Sequence, residues 1–345
     1  MEALSEPTCL PVAEDVTWIR VEEPAEAGRV RRAATALAER LAFPAARVAE
    51  IGVAVTEIAT NLHKHAREGV VLVRSVRGTT EAAVELLAVD GGPGIRDVGL
   101  AFEDGHSTTG TLGVGLGAVN RLADSCAITS RPGRGTALSA RFHPRRGPHA
   151  EFPEDVAAGV TRAIGGEEVC GDSYAIRRSP GRLSLMMCDG SGHGPLAATA
   201  SQAAVRLFCS LSPTAPEDVV ARIHRELRGT RGGAVAVAEV DLVARTVRYA
   251  GLGNIGAAVV GDGQKRGMVS VPGVAGYQAR TIRAFDYPLP DDGVVVMHSD
   301  GLTERWTVEH DDDLMSAAPL VVAGSLLRDA GVRKDDACVL VAQTY

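Results

Sequence analysis

The sequence predicts an α+β protein of two domains, and three observations carry that expectation. The chain has 345 residues, more than one hydrophobic core usually serves. Helical and strand periodicities alternate through the first half, whereas the second half is rich in short apolar strands. Between them lies HPRRGPHAEFPED (His143–Asp155), rich in Pro, Gly and charge and without periodicity. The expected organisation is a first domain over 1–143, a linker over 144–155 and a second domain over 156–345.

Each element follows from a local signal. VTWIRVE (16–22) alternates as a strand, and Arg29–Leu41 has a helical pattern. Ala45–Ala66 is a stronger helix, because Val48, Ile51, Val55, Ile58 and Leu62 recur at spacings of three and four, with Pro44 at its first turn. Val70–Val76, Ala83–Val89, Cys126–Ser130 and Thr136–Phe142 read as strands, Gly115–Asp124 as a helix, and RPGRG (131–135) as a hairpin turn. This order predicts a helical layer on an antiparallel or mixed sheet.

In the second half, Glu168–Arg177 and Leu183–Met187 flank the turn at Ser179–Arg182. Pro195–Ser210, Pro216–Arg228 and Ser316–Asp329 read as helices. Ala234–Val240, Thr246–Ala250, Gly293–His298 and Ala337–Ala342 read as strands. Two sheets covered by helices fit this pattern.

Composition narrows the function classes. Hydrophobic residues make up 45% of the chain and aromatics only 4%, so the cores are built mainly of Ala, Val and Leu. A net charge of −7 argues against nucleic acid, whose phosphates need clustered Lys and Arg. No apolar run approaches the ~20 residues that span a bilayer, and the acidic N-terminus lacks a signal core, so a cytoplasmic protein with no membrane partner is expected. The six cysteines show no CxxC or metal-ligand spacing, so reduced, mostly buried thiols are expected.

Two constellations carry chemistry. In TEIATNLHKHA (56–66), Glu57 and Asn61 share one helix face, with Lys64 one turn beyond Asn61. An Asn61 amide oxygen can hold Mg2+, Glu57 can polarise a hydroxyl, and Lys64 can meet a phosphate. Alone, these three polar residues read more readily as a solvated face. Asp90, however, ends an apolar strand just before GGPGI, with glycines at 92 and 94, where its carboxylate can accept from a purine amine. Gly110, Gly113, Gly115, Leu116 and Gly117 then open a helix, an arrangement suited to phosphate. No GK[ST] follows, so this is not a Walker A loop.

The second constellation is acidic. Asp172, Asp189, Asp300 and Asp335 each lie at an end of an apolar strand, a costly place for a carboxylate without a cation. Each alone fits a cap or turn, but the set of four suits hard ions such as Mg2+ or Mn2+, two of which can clamp a phosphoryl group. Gly190 can offer a carbonyl, and Gly192 and Gly194 leave room beside it. His193 fits equally a substrate contact and a solvated side chain.

The first half resembles the GHKL ATPases, with Asn61 in an N-box, DGGPGI as G1 and GVGLG as G2. TEIATNLHKHA, EDGHSTTGTLGVGLGAVNRLAD and SRPGRGT resemble the RsbT-like serine kinases. The resemblance implies a GHKL-type α/β sandwich binding ATP and Mg2+. It places Mg2+ on Asn61, adenine on Asp90 with Thr136, phosphates on Gly113, Gly115 and Gly117, and a general base at Glu57. The second half resembles the SpoIIE/RsbX branch of PPM (type 2C) phosphatases, through GDSY, DGSGHG, SDGLTE and DDACVLV. That resemblance implies an α-β-β-α sandwich holding two Mn2+ or Mg2+ ions. Its ligands are Asp189 as bridge, the Gly190 carbonyl, Asp172, Asp300 and Asp335, with Asp336 as the neighbouring alternative to Asp335. The resemblance further implies direct attack by water, without a phosphoenzyme.

Together the resemblances imply a bacterial partner-switching regulator, a serine/threonine phosphatase and kinase acting on STAS-domain proteins. The alternative is a phosphatase gated by a non-catalytic ATP-binding clamp. Whether the chain forms a homodimer stays open.

Overall fold

A computed structural model describes residues 9, 12–78, 81–102, 115–147, 156–165, 167–307, 313–332 and 334–344. The chain divides into two compact units, one within 11–153 and one comprising 154–345 together with Cys9. Among the described residues no helix is long and apolar enough to cross a membrane.

The first unit runs β1 (Val12–Arg20), α1 (Pro24–Arg40), α2 (Ala45–His65), β2 (Val70–Arg77), β3 (Ala82–Asp90), α3 (Val98–Ala101), α4 (Gly115–Leu122), β4 (Ser125–Arg131) and β5 (Gly135–Phe142). Its five strands form one sheet in the order β1-β2-β3-β5-β4. Every neighbouring pair in it is antiparallel. The stripe Ile51, Val55, Ile58 and Leu62 of α2, with Val30, Ala34 and Leu37 of α1, packs on Ile19, Val71, Val73, Leu86 and Phe142. The helical period buries one face of each helix and leaves Glu57 and Asn61 half-buried, outside that core.

A charged cluster lies within this sheet. Glu85 pairs with Arg74 at 2.6 Å and with Arg141 at 2.6 Å. Burial favours the neutral acid, but Arg141 and Arg74 outweigh it and hold the carboxyl down to about 2.

Among the described residues the second unit contains two main sheets and a separate two-stranded ribbon. It runs β6 (Ala157–Arg162), β7 (Asp172–Ser179), β8 (Arg182–Gly190), α5 (Pro195–Ser210), α6 (Pro216–Glu226), β9 (Gly233–Asp241), β10 (Thr246–Leu252), β11 (Gly256–Gly261) and β12 (Gln264–Gly267). The short strands β13 (Ser270–Val271), β14 (Gly273–Val274), β15 (Gln278–Ala279) and β16 (Phe285–Pro288) follow, then β17 (Val294–His298), α7 (Pro319–Ala330) and β18 (Ala337–Gln343). One sheet has the order β13-β10-β9-β8-β7 with β16 beside β10, and the other β12-β11-β17-β18-β6. Leu185, Met187, Ala236 and Tyr249 from the first sheet meet Val259, Val295, Met297 and Leu340 from the second in a shared core. Helices α5 and α6 cover the outer face of the first sheet through Ala200, Ala204, Phe208, Val219 and Ile223. Helix α7 packs against β18 and β6. The result is the expected α-β-β-α sandwich.

Two sequence expectations fail here. Cys9 does not belong with the first domain, because it bridges to Arg177 of β7 and forms a disulfide with Cys209 of α5. The expectation of six reduced thiols fails with it. The partners are 200 residues apart, so no spacing rule marks them, and the fold alone sets their Cα atoms at 5.3 Å. The remaining cysteines, Cys126, Cys170, Cys188 and Cys338, are free. Burial pushes the Cys188 and Cys338 thiols well up, as expected of packing residues.

Candidate functional sites

In the first unit, β3 ends on Asp90, and the antiparallel register sets it opposite Thr136 of β5. Asp90 is 7% exposed, and its Oδ1 accepts from the Gly92 amide at 2.6 Å. A Cβ at Gly92 would stand 2.7 Å from that oxygen and 2.9 Å from the His65 carbonyl at the end of α2. The first glycine turn is therefore wedged between the Asp90 carboxylate and the helix that carries Glu57, Asn61 and Lys64. Gly94, at φ +73°, packs on the Arg131 carbonyl where no side chain fits.

Ser130 is a member of this site that the sequence reading missed. Its Oγ lies 2.8 Å from Thr136 Oγ1 and accepts from the Ile95 amide at 2.7 Å, tying the glycine turn to the β4–β5 hairpin. Its only sequence signal is its place in SRPGRGT.

Gly113 lies outside the described residues. Gly115, at φ +34°, opens α4, Leu116 packs against the domain core, and Gly117 is buried. Leu116 thus anchors the helix, while Gly115 and Gly117 add no side chain to its first turn. The other end of α4 is held by cations. Arg47 donates to the Leu122 carbonyl at 2.7 Å and pairs with Asp124. Arg146 donates to the carbonyls of Arg121 and Leu122 at 3.0 and 3.1 Å. Guanidinium groups satisfy the last carbonyls and match the negative end of the helix.

In the second unit, four carboxylates converge from elements far apart in sequence. The β7–β8 register sets Asp172 directly opposite Asp189. The antiparallel pairing of β17 with β18 brings Asp300, just beyond β17, beside Asp335, just before β18. Asp172 is buried, and its Oδ2 has no hydrogen-bond partner among the described residues. Burial, then the negative charges of Asp336, Asp300 and Asp335, push its carboxyl well above the usual range, against a hydrogen bond with Ser299. Burial, with Asp172, Asp300 and Asp335, does the same to Asp189. Asp300 is raised by burial and by Asp335, and Asn254 Nδ2 opposes this with a 2.7 Å bond to its Oδ2. Four acids in mutual repulsion, with one buried oxygen left unbonded, form a donor set that fits hard divalent cations. Among the described residues, no group of three or more such side chains closes into a coordination shell.

The adjacent acids Asp335 and Asp336, which sequence could not separate, differ in their bonding. Both Asp336 oxygens are engaged by backbone amides, Oδ1 by Ile164 at 2.7 Å and Oδ2 by Gly171 at 2.8 Å. Asp336 thereby holds the segment that delivers Asp172. Asp335, half-buried, accepts among the described residues only from the Asp336 amide at 2.9 Å. Its carboxylate keeps acceptor capacity for a cation.

Gly190 lies against α5, where a Cβ would collide with the Ala197 carbonyl. Beyond it, His193 is exposed, and its Nδ1 lies 2.9 Å from Glu167 Oε1. Glu167 has no local signal that separates it from an ordinary polar loop residue, and the sequence signal for Asn254 is its place in AGLGNI (250–255).

Comparison with known proteins agrees with both halves. Residues 21–142 match the family model of the histidine kinase-like ATPase domain, and residues 179–345 match that of stage II sporulation protein E (SpoIIE). The serine/threonine-protein kinase RsbT of Bacillus subtilis (strain 168) is 32% identical over 126 residues, covering 36% of this chain and 95% of RsbT. The phosphoserine phosphatase RsbX of the same organism is 26% identical over 90 residues, covering 26% of this chain and 45% of RsbX, so the match spans less than half of that relative. Among solved structures, RsbX in complex with magnesium superposes with a TM-score of 0.47 at 20% identity, covering 54% of this chain and 94% of that one. A chain described under "The bacterial stressosome: a modular system that has been adapted to control secondary messenger signaling" gives a TM-score of 0.49 at 30% identity, covering 54% and 97%. The chain therefore belongs to the RsbT-like histidine kinase-type ATPases through its first half, and its second half matches the SpoIIE family model.

Proposed function

We propose that this chain is a bifunctional partner-switching regulator, whose second unit hydrolyses phosphoserine or phosphothreonine and whose first unit uses Mg-ATP to phosphorylate a partner of the STAS-domain class. The observation that carries the phosphatase reading is the convergence of Asp172, Asp189, Asp300 and Asp335 at the strand ends of two facing sheets, with one buried oxygen unbonded. Asp189, Asp172, Asp300, Asp335 and the Gly190 carbonyl would hold two Mn2+ or Mg2+ ions. When bound, such a pair supplies a polarised water and neutralises charge on the phosphoryl oxygens. Asn254 orients Asp300 through its 2.7 Å bond, and Asp336 fixes the backbone before Asp172. The free cysteines take no part, since burial keeps Cys188 protonated.

In the first unit, Asp90 would accept from the adenine amine, with Thr136 and Ser130 beside it. Asn61 would hold the nucleotide's Mg2+, and Lys64 with Gly113, Gly115 and Gly117 would meet the phosphates. A side chain at position 92 would crowd the Asp90 carboxylate, which glycine avoids. Glu57, half-buried on the same helix face as Asn61, would take the proton from the partner's hydroxyl. The RsbT-like match supports the kinase and the STAS-type partner, and the SpoIIE and RsbX matches support the phosphatase.

The test uses Asp189→Asn chain with labelled ATP, Mg2+ and purified STAS-domain protein. Label is expected to accumulate on a serine or threonine of that protein, and wild-type chain with Mn2+ is expected to remove it. Glu57→Gln is expected to abolish labelling while ATP binding persists. If ATP binds but no partner is labelled, the first unit is a nucleotide-gated clamp and hydrolysis is the chain's only chemistry.

A further inference from the structure

The loop that precedes β9 carries a guanidinium over the glycine turn that follows Asp189. It runs from Arg228 to Gly232, turned by two left-handed glycines, Gly229 at φ +87° and Gly232 at φ +67°. The loop is braced along its length. Thr230 Oγ1 donates to the Leu227 carbonyl at 2.7 Å and accepts from the Gly232 amide at 2.9 Å. Tyr277 Oη donates to the Thr230 carbonyl at 3.0 Å. The Ser191 amide donates to the Gly232 carbonyl at 2.9 Å, and Gly233 then pairs with Gly190 in the β8–β9 ladder. The loop is thus fastened to the segment that begins at Asp189 and Gly190.

Arg231 stands at its centre. Its Nη1 lies 3.0 Å from where Gly192, at φ +87°, would carry a Cβ. The guanidinium therefore rests over the glycine turn three residues beyond Asp189, in space that any side chain at 192 would fill. Arg231 is exposed and makes no hydrogen bond or ion pair with a described residue. Other arginines of this unit do find partners: Arg248 pairs with Glu217 and Asp286, and Arg182 with Glu239 and Asp241. An unpaired guanidinium on a braced loop over the turn that follows Asp189 is available for an anion.

The charge balance says which anion. Two divalent ions only offset four carboxylates, so a phosphate monoester brings about two negative charges that the cage itself does not balance. A planar guanidinium can take two non-bridging oxygens of such a group at once, fixing its orientation as well as its charge.

We infer that Arg231 is a phosphoryl-binding residue of this site, holding the monoester of a phosphorylated protein against the Asp189–Gly194 turn. The inference rests on the phosphatase reading above and names the group that positions its substrate. Arg231 forms no bond with the reacting atoms other than through the oxygens it orients, so its loss acts on binding more than on turnover.

The experiment compares wild-type, Arg231→Ala and Arg231→Lys full-length chains with Mn2+. It measures hydrolysis of p-nitrophenyl phosphate, inhibition by inorganic phosphate, and calorimetric binding of phosphate and of Mn2+. Arg231→Ala is expected to raise KM and weaken phosphate inhibition about tenfold, with a smaller change in kcat, and Arg231→Lys to recover part of the loss. Mn2+ affinity and the unfolding midpoint are expected to stay at wild-type values, which separates phosphate binding from a structural role. Unchanged KM and phosphate affinity in Arg231→Ala overturn the inference, as does a parallel loss of Mn2+ binding. If wild type shows no Mn2+-dependent hydrolysis, the phosphatase reading fails, and calorimetric phosphate binding to the Mn2+-loaded proteins still decides the role of Arg231. No phosphate binding by wild type overturns it.

Discussion

Glu85 and Asp172 are both buried carboxylates on apolar strands, 2% and 4% exposed, yet their surroundings drive them in opposite directions. Glu85 sits between Arg74 and Arg141, which overcome burial and hold its carboxyl down to about 2. Asp172 sits among other carboxylates, which join with burial to push it up. The first region is electrically complete and the second is not. Burial of an acid is therefore a poor marker of function by itself. A buried acid whose neighbours share its sign, and which keeps an oxygen unbonded, marks a place prepared for a cation.

Removing charge from the complete region should do the greater damage to folding. Glu85→Ala leaves two guanidinium groups without their shared partner, and Arg74 is as buried as Glu85 itself. A loss of about 3–5 kcal/mol in the stability of the first unit is expected, read from urea unfolding monitored by circular dichroism. Acid acts on the same pairing. Because the folded carboxyl is held below its ordinary value of 4.5, its contribution is present above that pH and disappears as pH falls toward about 2. An Ala variant with wild-type stability would place the triad among ion pairs that contribute nothing.

The incomplete region has the opposite sign. Asp172 and Asp189 are raised above the ordinary value of 3.8, so the metal-free folded unit holds protons that the unfolded chain has released. Its stability should be greatest below that value and fall as pH rises into the neutral range. Divalent cations should reverse the trend. Mn2+ at a hundredfold excess over its dissociation constant is expected to stabilise the second unit by about 2.7 kcal/mol, with a larger thermal shift at pH 8 than at pH 5. A Mn2+ shift that is equal at both pH values, or that persists in Asp189→Asn, would break the contrast between the two regions.

How much of this was legible in the sequence depended on whether the signal was local. Helix α5 was read at its observed limits, Pro195–Ser210, because a proline at its first turn and an apolar period are written in consecutive residues. The four cage aspartates were legible because each ends or begins an apolar strand. Strand β6, AAGVTR, was missed, since its Ala and Gly carry little strand preference and it is held by pairing with β18. The Cys9–Cys209 bond, Ser130, Asn254 and Arg231 depend on partners brought together only by the register of sheets. No window of sequence contains both members of those contacts, except Ser130 with Thr136, which share SRPGRGT.

Asp335 and Asp336 give the contrast its finest resolution, because they are neighbours with the same side chain. Asp336 is 2% exposed and spends both oxygens on the amides of Ile164 and Gly171. An Asn there offers one acceptor and turns an N–H toward an amide that needs an oxygen. Asp336→Asn should therefore cost about 1.5 kcal/mol of stability, even without metal. Its effect on hydrolysis should follow from misplacing Asp172, whose backbone begins next to Gly171. Asp335 accepts one bond from its neighbour's amide and otherwise adds repulsion to Asp172, Asp189 and Asp300. Asp335→Asn keeps an acceptor oxygen and removes that repulsion, so the metal-free protein should change by no more than about 0.5 kcal/mol while its Mn2+ affinity falls. The pair of variants separates a latch from a ligand by two measurements, unfolding without metal and calorimetry with Mn2+. If the two aspartates exchange these behaviours, Asp336 is the ligand, and its amide contacts are what the cation displaces on binding.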